Sequence, residues 1–268
     1  MVKLRYADEI YLIRRLLFRV RNELKLGWSE EIYHQALLHV LEAEAIPVVS
    51  KPRCWLMHRG QQVHLFEPDL ILWDKIILEL KALAFTKHFV GEHYAQLIHY
   101  LKYFSKNLGL LVNFCSTPIA IQRVLWDEHP FMLQEDFTSV QKHINLTNRA
   151  VLIQIRKVII EIAHQFGFGY PDTVYRRLLS IEFAYNDLHI IEDAVVPIEL
   201  AGKSTIDMNT QHLLIEDKFL LHIRSLLDQP SGYDYARTKN YLAHLGLSIG
   251  LVINFSRKKL QIHAVSLD

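Results

Sequence analysis

Apolar residues recur at helical spacing from Leu4 to about Leu26, through Ile10, Leu12, Ile13, Leu16, Leu17, Val20 and Leu24, and Gly27 stops the run. A second helix is expected from Ser29, which suits an N-cap, to about Ala45, with Pro47 ending it. The pattern then changes to strands. VVSKPRCWLMH alternates, RGQQ makes a turn, VHLFEPDLILW is a second strand, and Asp74-Lys75 turns the chain into IILELKAL. A helix from about Gly91 to Phe104 and the apolar strand GLLVNF complete the set.

The same order returns after about residue 149. RAVLIQIRKVIIEIAHQFGFG and PDTVYRRLLSIEFAY are amphipathic helices, with Pro171 in the first turn of the second. Strands are expected near 188–200, 203–209 and 213–220, then a helix near 233–245 and the strands IGLVINF and KLQIHAV. Residues 116–149 are polar, contain Pro118 and Pro130, and are expected to be a connector with a short helix around Gln134 to His143. This division gives domains at 1–115 and 150–268, an intrachain pseudo-dimer by repetition.

The repeat carries chemistry. PDLILWDKIILELKAL set against IDMNTQHLLIEDKFL places Asp69 on Asp207, Glu79 on Glu216 and Lys81 on Lys218, with Tyr100 on Tyr241 and Asn113 on Asn254 downstream. Asp69 and Glu79 are symmetric about position 74, so a hairpin turning there sets them opposite each other, with Lys81 on the same face. Asp207 and Glu216 are likewise symmetric about the Gln211–His212 junction. Two adjacent carboxylates in an apolar setting need a cation, and clustered oxygens favour Mg2+ or Mn2+. A lysine beside such an ion can orient or activate a water and steady a pentavalent phosphate. The plain alternative is a surface hairpin with an ordinary Glu–Lys pair; the apolar flanks, the symmetry and the repetition weigh against it.

Composition narrows the setting. The chain has 268 residues, half of them hydrophobic and 22% charged, which allows two folded domains. A net charge of +1 gives no strong basic field, so nucleic acid would have to be met by local patches such as Arg14, Arg15, Arg19, Arg21 and Lys25, or Arg257 to Lys259. Cys54 and Cys115 lie far apart in apolar runs, which suits a reducing compartment and excludes a four-cysteine cluster within the chain. MVKLRYADEIYLIRR has no secretory h-region and no apolar stretch approaches a membrane span, so a cytoplasmic protein is expected.

GWSEEIY fits a GxxExxY signature through Gly27, Glu30 and Tyr33. PD at 68–69, ELKA at 79–82, AQL at 95–97, YLK at 100–102 and GLLVNF at 109–114 follow in order. Residues 5 to 115 thereby resemble the GxxExxY proteins, a branch of the PD-(D/E)XK nuclease superfamily. The resemblance implies an α/β (α+β) fold of two tandem restriction-endonuclease-like domains, each a central mixed sheet flanked by helices. It also implies Mg2+-dependent phosphodiester hydrolysis, with DNA as the partner and no membrane. Asp69, Glu79 and the helix-borne Glu30 would hold metal, Lys81 would act on the water, and Gln96 would be the polar residue of the following helix. One departure is Glu67-Pro68-Asp69 in place of the usual Arg-x-Asp approach, which removes a basic contact.

The second half resembles the family more faintly. GYPDTVY replaces the glutamate by Asp172, while Asp207, Glu216 and Lys218 are the second-copy candidates and Arg237 stands in place of Gln96. A cation there could displace a metal or bind a phosphate. The alternative function is therefore a decayed module that binds nucleic acid or a protein partner, and homo-oligomerisation is left open. His88, His93 and His99 gather near the first site without zinc spacing. Tyr33 and Tyr175 read as packing residues, and Asn113 and Asn254 as partners for backbone groups.

Overall fold

A computed structural model describes residues 6–84, 86, 88–128, 130–200, 203–226 and 228–267. They fall into two compact units. One comprises residues up to Leu56 with Leu65–Asp127, and the other Met57–His64 with Glu128 onward.

The first unit begins with α1 (Ala7–Leu24) and α2 (Glu30–Ala43). Strand β1 (Val48–Ser50) follows, then a hairpin of β2 (Cys54–His58) and β3 (Gln61–Phe66) whose tip belongs to the second unit. The chain continues through β4 (Leu70–Leu72), β5 (Ile76–Lys81), α3 (Gly91–Tyr103), β6 (Leu108–Asn113) and β7 (Ala120–Leu125). The sheet runs β1-β4-β5-β6-β7, with β5 and β6 parallel and the other neighbours antiparallel. Each long expected strand is thus two strands, broken where Lys51 takes a left-handed φ of 44° before Pro52 and where Pro68 precedes Asp69.

Alternation along β4 and β5 decides what covers each face. Leu70, Leu72, Leu78 and Leu80 face α1 and α2 through residues such as Leu16, Leu17 and Leu37. Ile71 and Ile77 face α3 through Leu97, Ile98 and Leu101. Asp69, Glu79 and Lys81 share the parity of Ile71 and Ile77, so they belong to the α3 face.

The second unit opens with β8 (Leu133–Asp136) and a 3-10 helix at Thr138–His143, within the segment expected to be a connector and overlapping its expected helix. Then come α4 (Leu146–Phe166), α5 (Asp172–Tyr185), β9 (Ile190–Ile191), β10 (Val195–Leu200), β11 (Lys203–Asn209), β12 (Leu213–Ile215), β13 (Phe219–Arg224), α6 (Gly232–Leu245), β14 (Ile249–Phe255) and β15 (Leu260–Ser266). The sheet order is β8-β15-β14-β13-β12-β9, with β13 and β14 parallel, and β10 pairs with β11 apart from it. Both units therefore present the mixed sheet flanked by helices that the sequence implied. Among the described residues no helix is long and apolar enough to cross a membrane.

Tyr33 stacks on Phe114 at 4.6 Å, and Tyr175 stacks on Phe255 at 3.9 Å. Each hydroxyl donates to the carbonyl of the residue eight positions back, Lys25 at 2.6 Å and Gly167 at 2.8 Å. These tyrosines lock helix to sheet, as their sequence context suggested.

Gly109 and Gly250 hold the same place on β6 and β14. A Cβ on Gly109 would sit 2.7, 2.8 and 2.9 Å from Cδ1, Cδ2 and Cγ of the fully buried Leu97. A Cβ on Gly250 would meet buried, β-branched Thr238 at 2.9 Å and the Leu220 carbonyl at 3.4 Å. Gly250→Ala and Gly109→Ala are therefore each expected to cost about 1–3 kcal/mol. Urea unfolding checks this, and a variant as stable as the wild type would show that the facing helix side chain yields without cost.

Candidate active site

The β4–β5 hairpin pairs Leu70 with Leu78 and Leu72 with Ile76, and Trp73 and Asp74 take left-handed φ angles of 51° and 54° in its turn. That register continues to Asp69 opposite Glu79. The Leu80 N–H donates to Asp69 Oδ2 at 2.7 Å, tying the acid to the next strand. Lys81 Nζ donates to Glu79 Oε1 at 2.7 Å, with Glu79 only 2% exposed. Glu79 Oε2 is buried without a hydrogen-bond partner.

This is a costly arrangement for a carboxylate. Burial, with Asp69 beside it, pushes the Glu79 carboxyl up to about 8 despite the Lys81 ammonium. Burial also raises Asp69 and Glu30, and each is held back in part by Lys81. Glu30 opens α2, and Gln96 lies on α3, where its amide donates to Tyr100 Oη at 3.1 Å. Burial, and then the charge of Glu79, pushes the Tyr100 phenol up to about 12. Asp69, Glu79, Lys81 and Glu30 thus share one electrostatic neighbourhood, with Tyr100 linking Gln96 to it.

His34 is a further member that sequence reasoning missed. It is 1% exposed, its Nε2 bonds Ser50 Oγ at 2.8 Å, and its unpartnered Nδ1 stands 4.0 Å from Asp69 Oδ1. Its position one helical turn after Glu30 was the available signal. Lys51 stands beside the site: its backbone N–H donates to the Asp69 carbonyl at 2.9 Å, and its ammonium pairs with Glu31. His93 Nδ1 accepts from the Val90 N–H at 3.3 Å, at the start of α3. Asn113 bonds the backbone of Leu83 and Cys115, and Asn254 that of Leu226 and Asp228.

The second unit has a different constellation from the one expected. In its hairpin Leu213 pairs with Leu221 and Ile215 with Phe219, and the left-handed turn residues are Glu216 and Asp217, with φ of 53° and 50°. The turn therefore lies at 216–218 and not at Gln211–His212. Glu216 corresponds to Trp73 and Lys218 to Lys75. Glu216 accepts from the His189 N–H at 2.6 Å, Lys218 is exposed, and Asp207 lies on β11, exposed and outside this hairpin. By register, His212 takes the place of Asp69, His222 that of Glu79 and Arg224 that of Lys81. Asp172 opens α5 as Glu30 opens α2, and Arg237 lies on α6. No carboxylate pair is formed across this hairpin, because two histidines occupy its acidic positions.

Burial drives the His212 imidazole down to about 3 and the His222 imidazole down to about 4. Both folded values lie below the ordinary 6.5. The unfolded chain therefore binds more protons between pH 6.5 and about 4, and stability falls as pH drops through that window. A loss of about 4 kcal/mol between pH 7 and pH 5, about 2 from each imidazole, is expected from urea titrations and should fall by about half in His222→Gln. An unchanged slope in that variant would refute the assignment.

The family model of the PD-(D/E)XK nuclease superfamily matches residues 7–124 and again 149–265, and the chain belongs to that superfamily. The first match spans the five-stranded sheet, and the second spans the six-stranded sheet except β8, which lies between the matches. No curated protein matches the chain. Among solved structures, the crystal structure of SSO0001 is similar, 24% identical over 35% of this chain and 48% of that one, with a TM-score of 0.30. The alignment thus spans about half of that protein's length.

Nucleases of this superfamily typically use a divalent metal. The first unit offers a hard-oxygen pair, Asp69 and Glu79, with one oxygen of Glu79 left unmet, and that suits such an ion. Among the described residues no three His, Cys, Asp or Glu side chains gather as one ligand set, so Glu30 does not complete a three-carboxylate cluster. Magnesium commonly takes only one or two protein carboxylates, with waters and substrate phosphate filling the rest.

Proposed function

We propose that the first unit is a metal-dependent nuclease that hydrolyses phosphodiester bonds of DNA. Within the superfamily we place it in the GxxExxY branch through Gly27, Glu30 and Tyr33. The observation that carries this reading is the unmet Glu79 carboxylate oxygen beside Lys81 and opposite Asp69. A divalent ion, Mg2+ or Mn2+, held by Asp69 and Glu79 would supply a Lewis acid for the phosphate and lower the pKa of a water.

The chain's own residues supply the rest. Lys81, fixed by its bond to Glu79, presents an ammonium where negative charge grows on the phosphate, and can orient the attacking water. The backbone of Leu80 holds Asp69 in place. Glu30 adds a carboxyl able to carry a proton, and Gln96 with Tyr100 presents a polar edge to the substrate. With one such site per chain, nicking is the expected product on supercoiled plasmid. A cytoplasmic setting fits the reading.

The second unit favours the binding-module reading for itself, because His212 and His222 replace the acids. The test is cleavage of plasmid and single-stranded DNA by the full chain with Mg2+ or Mn2+, with RNA as a parallel substrate. No cutting under any of these conditions defeats the proposal. A readout independent of turnover is metal-induced stabilisation. Millimolar Mn2+ should stabilise the wild type by about 2–3 kcal/mol at 100-fold excess over Kd, read as a higher Tm, and leave Glu79→Gln unmoved. Equal shifts in both proteins would place the ion elsewhere.

A further inference from the structure

His212 is 3% exposed and lines a cavity of about 540 Å3 in the second unit, yet neither of its ring nitrogens has a hydrogen-bond partner. A neutral imidazole carries one N–H donor and one acceptor lone pair, and leaving both unmet in the interior is expensive. It does stack on His222 at 4.2 Å and meets the Tyr241 ring edge-on at 5.1 Å, so the ring is held while its polar atoms go unused. A buried polar group of this kind beside a cavity calls for a partner that the chain does not provide.

The cavity says what sort of partner. Arg176, Arg224 and Arg237 line it against a single lining carboxylate, Asp172. Arg176 pairs with Asp193, and Arg224 lies 3.2 Å from Asp234 and 3.9 Å from Asp172. Arg224 Nε nevertheless makes no well-formed hydrogen bond. Arg237 differs: it donates to Tyr233 Oη at 2.8 Å and lies over that ring at 4.5 Å. The Arg237 fork and an unmet imidazole lining one cavity, with Arg176 and Arg224 adding positive charge, suit an oxyanion, and a phosphate offers them more acceptor oxygens than a carboxylate does. Tyr233, 66% exposed, adds a ring face for a base. A 540 Å3 cavity is within the range of small-ligand sites.

We propose that this cavity is a phosphate site, holding the phosphate monoester of a nucleotide, free or at the end of a strand, through Arg237 and His212. It does no chemistry on that phosphate, since the positions that bear Asp69 and Glu79 in the first unit are His212 and His222. The choice of a nucleotide over another phosphate ester rests on the nuclease reading; the anion site itself does not.

The experiment is calorimetric titration of the full chain in EDTA with inorganic phosphate, dTMP and thymidine. A short oligonucleotide is titrated with and without a 5′-phosphate. Saturable binding of phosphate and tighter binding of dTMP are expected, with none by thymidine. A 5′-phosphorylated strand binding better than its unphosphorylated twin places the ligand at a strand end, and dTMP alone binding places it as a free nucleotide. Arg237→Gln should weaken binding at least about tenfold, the loss of one charge-assisted bond. His212→Phe should weaken it too, while the ligand-free protein keeps or gains Tm because the unmet nitrogens are gone. If His212→Phe fails to fold, Arg237→Gln still decides. No saturable binding by phosphate or dTMP, binding indifferent to Arg237→Gln, or thymidine binding as well as dTMP each overturns the proposal. Because EDTA silences metal-dependent cutting, the two readings fail separately. Cleavage without phosphate binding defeats this inference alone, and phosphate binding without cleavage defeats the nuclease reading alone.

Discussion

Lys81→Ala is expected to lower DNA cleavage by about 10²–10⁴-fold while leaving the protein folded. The two effects separate because of what Lys81 touches. Its ammonium is bonded to Glu79 at 2.7 Å, so removing it takes away a positioned cation at the reacting phosphate. The folded state loses little in exchange. Burial already pushes the Glu79 carboxyl up to about 8, and loss of the Lys81 charge raises it further, so the side chain takes up a proton instead of staying a stranded buried charge when the lysine goes. A Tm within a few degrees of wild type is therefore expected, read beside the cleavage rate on supercoiled plasmid. Lys218→Ala is the matched control. Lys218 is exposed in the β12–β13 turn, so cutting should stay within twofold of wild type. Equal losses in both variants would show that 218, and not 224, is the lysine's counterpart, and would reject the hairpin register.

Why the second site was misplaced in the sequence is a matter of register. The letters E-x-K occur at 79–81 and again at 216–218, and matching them gave Asp207, Glu216 and Lys218 a site role. The apolar frame says otherwise: LIL, WDK, IIL, E, LK stands beside LLI, EDK, FLL, H, IR. Two left-handed residues fix each three-residue turn, and a shifted register moves side chains to the wrong face and depth. Acidic identity was local and coincidental, whereas the turn and its flanking aliphatics were the constraint. Where both kinds of signal agreed, at Asp69, Glu79 and Lys81, the geometry followed from symmetry about position 74.

Helices such as α1 were legible because Ile10, Ile13, Leu17 and Val20 mark one buried stripe. Strand β8 was not. Leu133–Asp136 is polar, and it is a strand because it lies parallel to β15, more than a hundred residues away. Pairing of that range leaves no local pattern to read. His34 and His212 escaped for a related reason: burial, not residue type, gives each its unmet nitrogen.

Glu182→Ala is expected to destabilise the second unit by about 3–4 kcal/mol. Glu182 is 6% exposed on α5 and its carboxylate accepts four bonds: from His58 Nε2 at 2.7 Å, Arg59 Nε at 2.6 Å, Arg59 Nη2 at 2.7 Å and, more weakly, Asn186 Nδ2 at 3.4 Å. The donors come from the β2–β3 tip, where Arg59 takes φ 47° and Gly60 takes φ 77° to make the turn. Truncation leaves a buried imidazole and a forked guanidinium without their acceptor, and Arg59, itself about one-third exposed, recovers only part through water. Glu182→Gln keeps an acceptor oxygen and should cost less. The sign with pH is fixed by Arg59, whose hydrogen bonds hold the Glu182 carboxyl below its ordinary 4.5. The contribution is present above that value and is lost as pH falls through the lower folded pKa, so wild type and Glu182→Ala should converge toward pH 3. Urea unfolding at pH 7 and pH 3, with Arg59→Ala and the double variant completing a cycle, measures the coupling. Additive single losses at pH 7, or a gap that persists undiminished at pH 3, would mean that Glu182 acts by packing and not by this bidentate pair.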